Sequence, residues 1–199
     1  DDLVKALGKD ITVQESDWNC VLLATPNHKR KGMDDPRVRR ALTLMLDRWN
    51  GSKYLSQIAI VKSVGGVVFP SHPLAATKDE LTKIAGFGTD IEKARAEATK
   101  LLADAGMPGY KFTLLNRGVD QPYKVVGTWM IDQWTKSGLQ VDQQVQPTPT
   151  FYNTLRKSKD FDISIDFNCQ TVINPIADIT KFLGSSGSNH GQYEDKELD

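Results

Sequence analysis

Short strand-forming runs alternate with helical stretches in the second half of the chain, and this order restricts the fold more than any other feature. The runs "YKFTLLN" (110–116), "LQVDQQVQ" (139–146) and "FDISIDF" (161–167) are rich in aromatic, β-branched or alternating apolar residues, which is typical of strands. Helices are predicted between them, over about 122–137 and 151–157. Strands that alternate with helices indicate an α/β or α+β fold.

The clearest helix start in the first half is Asp35-Pro36. Aspartate can accept the free amide hydrogens of a first helical turn, and proline suits the first helical position because its missing N–H is not needed there. One apolar stripe follows at positions i, i+3, i+4 and i+7: Val38, Ala41, Leu42 and Met45. We expect this helix to end at Asn50-Gly51.

Weaker signals complete the first half. "DWNCVLLAT" (17–25) reads as a buried strand, and residues 59–81 read as an extended, irregular connection. A second helix is predicted to begin at Thr89, where Glu92 completes a capping box. A last short helix is expected over 176–183, followed by a polar surface loop.

Charge excludes some classes of function. Lys and Arg total 25, as do Asp and Glu, so the net charge is 0 and no overall field favours nucleic acid or an anionic membrane. The basic residues Lys29–Lys31, Arg37, Arg39 and Arg40 could contact phosphates locally, but a solvated or protein-docking face fits the neutral chain better. No apolar run approaches the roughly 18 residues of a spanning helix. The start, "DDLVKALGKD", is not a signal peptide, and a fragment of a longer protein is expected.

No motif indicates an enzyme, a metal site or a cofactor. His28, His72 and His190 are scattered in loop-like segments without metal-ligand spacing, and "GSSGS" (184–188) lacks the order of a phosphate loop. Asp34 and Asp35 point apart as neighbours at a helix start, so capping explains them better than a catalytic pair. The two cysteines allow one disulfide or two buried thiols, and composition alone favours the thiols.

Five stretches in order resemble the extracytoplasmic solute-binding proteins of peptide, opine and nickel ABC transporters, solute-binding family 5. The signature-like stretch is "DDPRVRRALTLMLDR". The others are "DIEKARAEATKLLADAGMPG", "IDQWTKSGLQVDQQ", "FYNTLRKSKDFDISI" and "GQYEDKELD". Each is weak to moderate alone, but together they cover nearly the whole chain.

The resemblance implies a fold and a role. The 199 residues would form a single domain, the C-terminal lobe of a two-lobed type II periplasmic binding protein (cluster C-like), with a mixed sheet flanked by helices and the first lobe absent. Hinge closure would capture a solute between the lobes and deliver it to a membrane permease. The resemblance further implies a periplasmic or extracytoplasmic monomer that is not an enzyme, takes no cofactor, and binds a peptide-like or other small solute.

The resemblance also assigns residues. Peptide-binding members carry one Cys in the strand before the signature helix and another six residues before a Pro in the cleft loop. Cys20 and Cys169, with Pro175, fit this pattern and imply a disulfide, although Cys20 lies about three residues farther from the helix. Where those members have an Asp that binds the ligand ammonium, this chain has Thr171. Where some have an Arg, it has Ile165.

A small polar ligand other than an ordinary peptide is therefore expected, because a hydroxyl cannot replace a carboxylate opposite an ammonium group. Asn168, Gln170 and Thr171 are the first predicted ligand contacts. Asn116 and Arg117, expected on the loop after a strand, are the next, with Arg117 suited to a carboxylate. Two other readings stay open: a sensor or interaction domain with the same lobe fold, and a weaker one, a hydrolase.

Overall fold

The structure is a computed structural model. It describes residues 2–14, 20–59, 61, 63–70, 72–169 and 179–199. These residues form one four-stranded mixed sheet and seven α-helices. The α/β class and the helix-flanked mixed sheet expected from the sequence are therefore confirmed.

The sheet has the order β1-β4-β2-β3. Its strands are β1 (Cys20–Pro26), β2 (Lys111–Arg117), β3 (Gln140–Gln146) and β4 (Ile163–Cys169). β1 runs antiparallel to β4, whereas β3 and β4 both run parallel to β2. The carboxyl ends of β2, β3 and β4 consequently meet at one edge of the sheet, together with the first residue of β1. We call this the carboxyl edge.

The helices connect the strands and cover the sheet. They are α1 (Asp2–Leu7), α2 (Pro36–Leu44), α3 (Arg48–Ile58), α4 (Lys78–Leu81), α5 (Ile91–Asp104), α6 (Val125–Lys136) and α7 (Thr148–Asn153). Asp35 caps α2 as predicted, because its side chain accepts a hydrogen bond from the Arg37 N–H. The cap of α5 is Asp90 and not Thr89, since the Asp90 carboxylate accepts from the Lys93 N–H. No helix in the described part of the chain is long and apolar enough to cross a membrane.

The predicted end of the signature helix at Asn50-Gly51 is wrong. α2 ends at Leu44, and Asp47 caps a new helix, α3, by accepting from the Asn50 N–H. Gly51 lies inside α3, where a Cβ atom would stand 2.3 Å from the Trp129 ring of α6. Glycine is therefore present for close helix packing and not as a stop signal.

The main core lies between one face of the sheet and helices α2, α3, α5 and α6. β2 and β4 contribute Phe112, Leu114, Ile163 and Ile165, all at most 2 % exposed. Ile165, which the resemblance aligns with an arginine of some peptide-binding members, is a fully buried core residue. The predicted apolar stripe of α2, the helix of the signature-like stretch, also packs into this core: Val38, Ala41, Leu42 and Met45 are all buried.

A smaller core covers the opposite face of the sheet. Leu115 of β2 packs there with Phe151 of α7 and with Leu155 and Phe161, all at most 3 % exposed. Helices therefore pack on both faces of the sheet. Its edge strand β3 is exposed to solvent along most of its side chains.

Two buried asparagines fix the C-terminal segment, residues 179–199, against the end of β1. The Asn27 amide donates to the Lys159 carbonyl and accepts from the Gln192 side chain. Asn189 donates to the Leu183 and Tyr193 carbonyls and accepts from the Tyr193 N–H. Of the last helix predicted over 176–183, residues 176–178 lie outside the described residues, and Thr180–Phe182 form a short 3-10 turn.

Candidate functional site

The carboxyl edge is the natural place to look for a binding site, because open α/β sheets bind ligands beyond the carboxyl ends of their strands. Here β2 and β4 are joined by only two ladder pairs, Leu114↔Ile163 and Leu115↔Ser164. Beyond those pairs both strands continue without pairing to each other, which leaves a notch between them at the carboxyl edge.

Tyr123 fills that notch. Its ring packs edge-on against Phe167 of β4 and Phe151 of α7, with centroids 5.0 Å and 6.3 Å away. Its hydroxyl donates to the Asp166 carboxylate over 3.3 Å and accepts from Arg117 over 3.4 Å. Burial raises the pKa of Tyr123, so the hydroxyl keeps its proton at neutral pH.

The sequence predicted that Arg117 lies on a loop after a strand. In the structure it is instead the last residue of β2. Its guanidinium lies over the rings of Tyr123 and Tyr152, 5.2 Å and 5.4 Å from the centroids, and its Nε donates to the Thr148 hydroxyl. The hydrogen bond to Tyr123 raises the pKa of Arg117. Nη2 makes no hydrogen bond within the described residues, so this fixed cation keeps a donor for a ligand carboxylate.

Asp166 is the acidic counterpart of Arg117, and sequence reasoning missed it. Only 13 % of its side chain is exposed, and this burial raises its pKa despite the hydrogen bonds it accepts. In the sequence it looks like an ordinary polar residue in an alternating strand. The structure brings it, through Tyr123, into one chain of hydrogen bonds with Arg117.

Asn116, predicted as a ligand contact, is fully buried. Its amide donates to the Tyr123 carbonyl, and its oxygen accepts from the Arg117 N–H. Gly127 of α6 approaches so closely that a Cβ atom there would stand 2.2 Å from the Asn116 Nδ2. Asn116 therefore holds the backbone of Tyr123 and of Arg117 at the carboxyl edge. Its predicted role as a ligand contact stays a prediction.

Asn168 ends at the same edge. It is 3 % exposed, and its buried Nδ2 has no hydrogen-bond partner among the residues that the structure describes, which is uncommon for a buried amide. The adjacent Cys169 is joined to Cys20 by a disulfide, directly across the β1–β4 pair. The predicted disulfide is thus present. Gln170 and Thr171, the other predicted contacts, lie outside the described residues.

Two histidines that are far apart in sequence meet at one cavity beside β1. His28 follows β1 and His190 belongs to the C-terminal segment. Burial, together with nearby Arg and Lys charges, lowers the pKa of each to about 4, so both are neutral at pH 7. Among the described residues, no three His, Cys, Asp or Glu side chains are arranged to hold a metal ion.

We expect acid to destabilise the fold, because the pKa values of these two histidines are lowered in the folded protein. Because their folded-state pKa of about 4 lies below the ordinary value of 6.5, their contribution is complete above pH 6.5 and is lost as pH falls toward 4. Asp166 acts oppositely: its raised pKa contributes stability at low pH that is lost as pH rises. The shifts of the two histidines are the large ones, and carboxylates with a lowered pKa, such as Asp35 and Glu80, act in the same direction. We therefore expect the free energy of unfolding, measured in urea, to fall from about pH 7 to about pH 4.5.

The double substitution His28→Gln/His190→Gln is the control for that expectation. It removes both protonation sites and should flatten or reverse the slope of stability against pH. An unchanged slope in the double variant would show that other groups cause the acid sensitivity.

Comparison with known proteins places the geometry in a family. Residues 3–190 match the family described as bacterial extracellular solute-binding proteins, family 5 Middle. The periplasmic oligopeptide-binding protein OppA of Salmonella typhimurium is 28 % identical over 207 aligned residues, which cover 100 % of this chain and 36 % of that protein. OppA of Escherichia coli is 27 % identical with the same coverage.

Solved structures share the fold. OppA of Burkholderia pseudomallei superposes with a TM-score of 0.78 at 18 % identity, and the murein tripeptide-binding protein MppA of Escherichia coli with 0.77 at 19 %. Haemophilus influenzae OppA in complex with RPPGFSPFR gives 0.74 at 21 %. Each match covers 98 % of this chain and 38 % of the other protein. The chain thus spans just over one third of the relatives that it matches.

Proposed function

Because the chain belongs to family 5 of the bacterial extracellular solute-binding proteins, we propose that it is the second lobe of the substrate-binding component of an ABC importer. The lobe would close with a first lobe around a small polar solute in the periplasm and present it to a membrane permease. No covalent chemistry is needed, because hinge closure around a bound solute completes the task. The matched relatives named above are binding proteins for oligopeptides or a murein tripeptide.

The observation that carries the proposal is the fixed cation at the carboxyl edge. Arg117 is held between two tyrosine rings and keeps one guanidinium nitrogen for a ligand. Asn168, whose buried Nδ2 has no partner among the described residues, would add a neutral polar contact, and so would Gln170 and Thr171, which follow it in the sequence. We propose that Arg117 binds a carboxylate or another anionic group of the solute, while Asn116 supports it.

The departure at Thr171 shapes the proposed ligand. A hydroxyl cannot offset an α-ammonium charge. The Asp166 carboxylate already accepts a hydrogen bond from Tyr123 and lies near the charges of Lys181 and Arg117. We therefore propose a solute without a free α-ammonium group at this lobe. Mass spectrometry of small molecules released from the purified, intact two-lobed protein tests this directly. Release of an ordinary zwitterionic peptide would contradict the reading of Thr171.

Replacing Arg117 tests the site itself. Arg117→Met removes the proposed charge-assisted hydrogen bond, and we expect affinity for the released solute to fall about tenfold to a hundredfold. Arg40→Met is the matched control, because Arg40 is an exposed cation on α2 paired with Glu97. Isothermal titration calorimetry measures both. Equal affinities in the two variants would remove Arg117 from the site.

The full reading frame tests the wider role. An upstream export signal and first lobe are what an importer receptor requires, and both would have to lie outside the 199 residues. A natural protein without a first lobe would contradict the receptor proposal and favour an interaction or sensor domain.

A further inference from the structure

A cavity of about 360 Å³ lies beside β1, the edge strand opposite β3. Residues 23–26 of β1 form one wall, and the C-terminal segment forms the other. The cavity is built and not a chance gap, because the buried amides of Asn27 and Asn189 hold its walls together. The proposed importer function does not use this space.

Two imidazoles line the cavity, and neither makes a side-chain hydrogen bond to any residue that the structure describes. His28 contacts Tyr193 only edge-on, with ring centroids 5.0 Å apart. His190 Nδ1 lies 4.0 Å from the Asp166 carboxylate, which is too long for a hydrogen bond. The ring nitrogens of both histidines remain accessible to solvent from the cavity. A neutral imidazole has one N–H to donate, and both rings are held neutral at pH 7.

Positive charge exceeds negative charge around these rings. Among the described residues that line the cavity, Arg39 and Lys181 are basic and Asp166 is acidic. The Lys181 ammonium donates one of its hydrogens to the Phe167 carbonyl and still brings its charge to the cavity wall. Arg39 uses Nη1 for the Met33 and Asp34 carbonyls, and its Nε and Nη2 make no hydrogen bond within the described residues. Asp166 already accepts from Tyr123. Lys159 and Arg156 add further positive potential at His190.

We propose that this cavity binds a small anion that carries a carboxylate or phosphate group. Arg39 and Lys181 supply the charge, and the two neutral imidazoles supply N–H donors. A cation would meet two basic side chains and one carboxylate that already accepts from Tyr123, and an apolar molecule would leave the imidazoles unpaired. The guanidinium fork of Arg39 matches both carboxylate and phosphate geometry.

The cavity shares Asp166 with the carboxyl edge, but its proposed charges are Arg39 and Lys181 and not Arg117, so each proposal can fail alone. Inorganic phosphate and succinate are the probes, titrated separately by calorimetry at pH 7 and constant ionic strength. We expect saturable binding of one or both, accompanied by shifts in the ring resonances of His28 and His190. The two titrations distinguish a phosphate from a carboxylate ligand.

Three variants decide the outcome. Lys181→Gln and Arg39→Gln should each weaken binding of the active probe about tenfold or more, whereas Lys100→Gln, an exposed cation on α5, should leave it unchanged. If Arg39→Gln disturbs the fold, as judged by circular dichroism, Arg39→Lys replaces it. Absence of saturable binding, unmoved histidine resonances, or equal losses with Lys100→Gln would each overturn the proposal.

Discussion

Loss of the Cys20–Cys169 disulfide is expected to lower the free energy of unfolding by about 2–5 kcal/mol. The bond joins residues 149 positions apart, so in its absence the unfolded chain regains the entropy of a very long loop. In the folded state it joins directly opposed residues at the carboxyl edge, on strands that are already paired. The reduced protein therefore keeps its sheet and loses stability mainly through its unfolded state.

Urea unfolding with and without a phosphine reductant measures this effect. The double variant Cys20→Ala/Cys169→Ala should show the lower stability of the reduced protein under both conditions, and the reductant should not change it further. A difference below about 0.5 kcal/mol in unfolding free energy between oxidised and reduced protein would contradict the expectation. It would mean that the disulfide hardly restricts the unfolded chain.

Trp134→Ala is expected to cost about 3–5 kcal/mol of unfolding free energy, the range for deleting a large buried aromatic side chain. Trp134 is 1 % exposed and packs edge-on against Phe112 of β2, with centroids 5.3 Å apart. Its indole N–H donates to the Leu42 carbonyl at the end of α2, which the helix itself leaves unpaired. One side chain thus joins α6, the sheet and the signature helix.

The conservative variant Trp134→Phe separates the two contributions of that side chain. Phenylalanine restores most of the packing but not the hydrogen bond, so we expect a loss of about 1–3 kcal/mol, well below that of the alanine variant. Far-ultraviolet circular dichroism in urea measures both. Equal losses in the two variants would mean that packing by the ring contributes little.

Local signals predicted the elements well where the cause is local. Asp35 and Pro36 start α2 because capping depends on neighbouring residues alone. Gly51 misled the prediction, since its role is set by Trp129, which is distant in sequence. The short helix at residues 78–81 was also missed, although Thr77 and Glu80 form a capping box that the sequence displays.

The candidate site was predictable only in part. Arg117 was proposed because it follows a predicted strand and Asn168 because of the family resemblance, and both lie at the carboxyl edge. Tyr123 was missed, because an aromatic residue near a helix start is indistinguishable in sequence from an ordinary core residue. Asp166 and the His28–His190 cavity depend on contacts between distant segments, and periodicity carries no information about such contacts.

The notch between β2 and β4 makes the shape of the carboxyl edge depend on a single side chain. Because only two ladder pairs join the halves of the sheet, the shape of the carboxyl edge is set largely by whichever side chain fills the gap. Here that side chain is Tyr123, and it stands on a turn outside every strand. Exchange of this one turn residue would therefore change the shape of the carboxyl edge, while the strands and their register stay as they are.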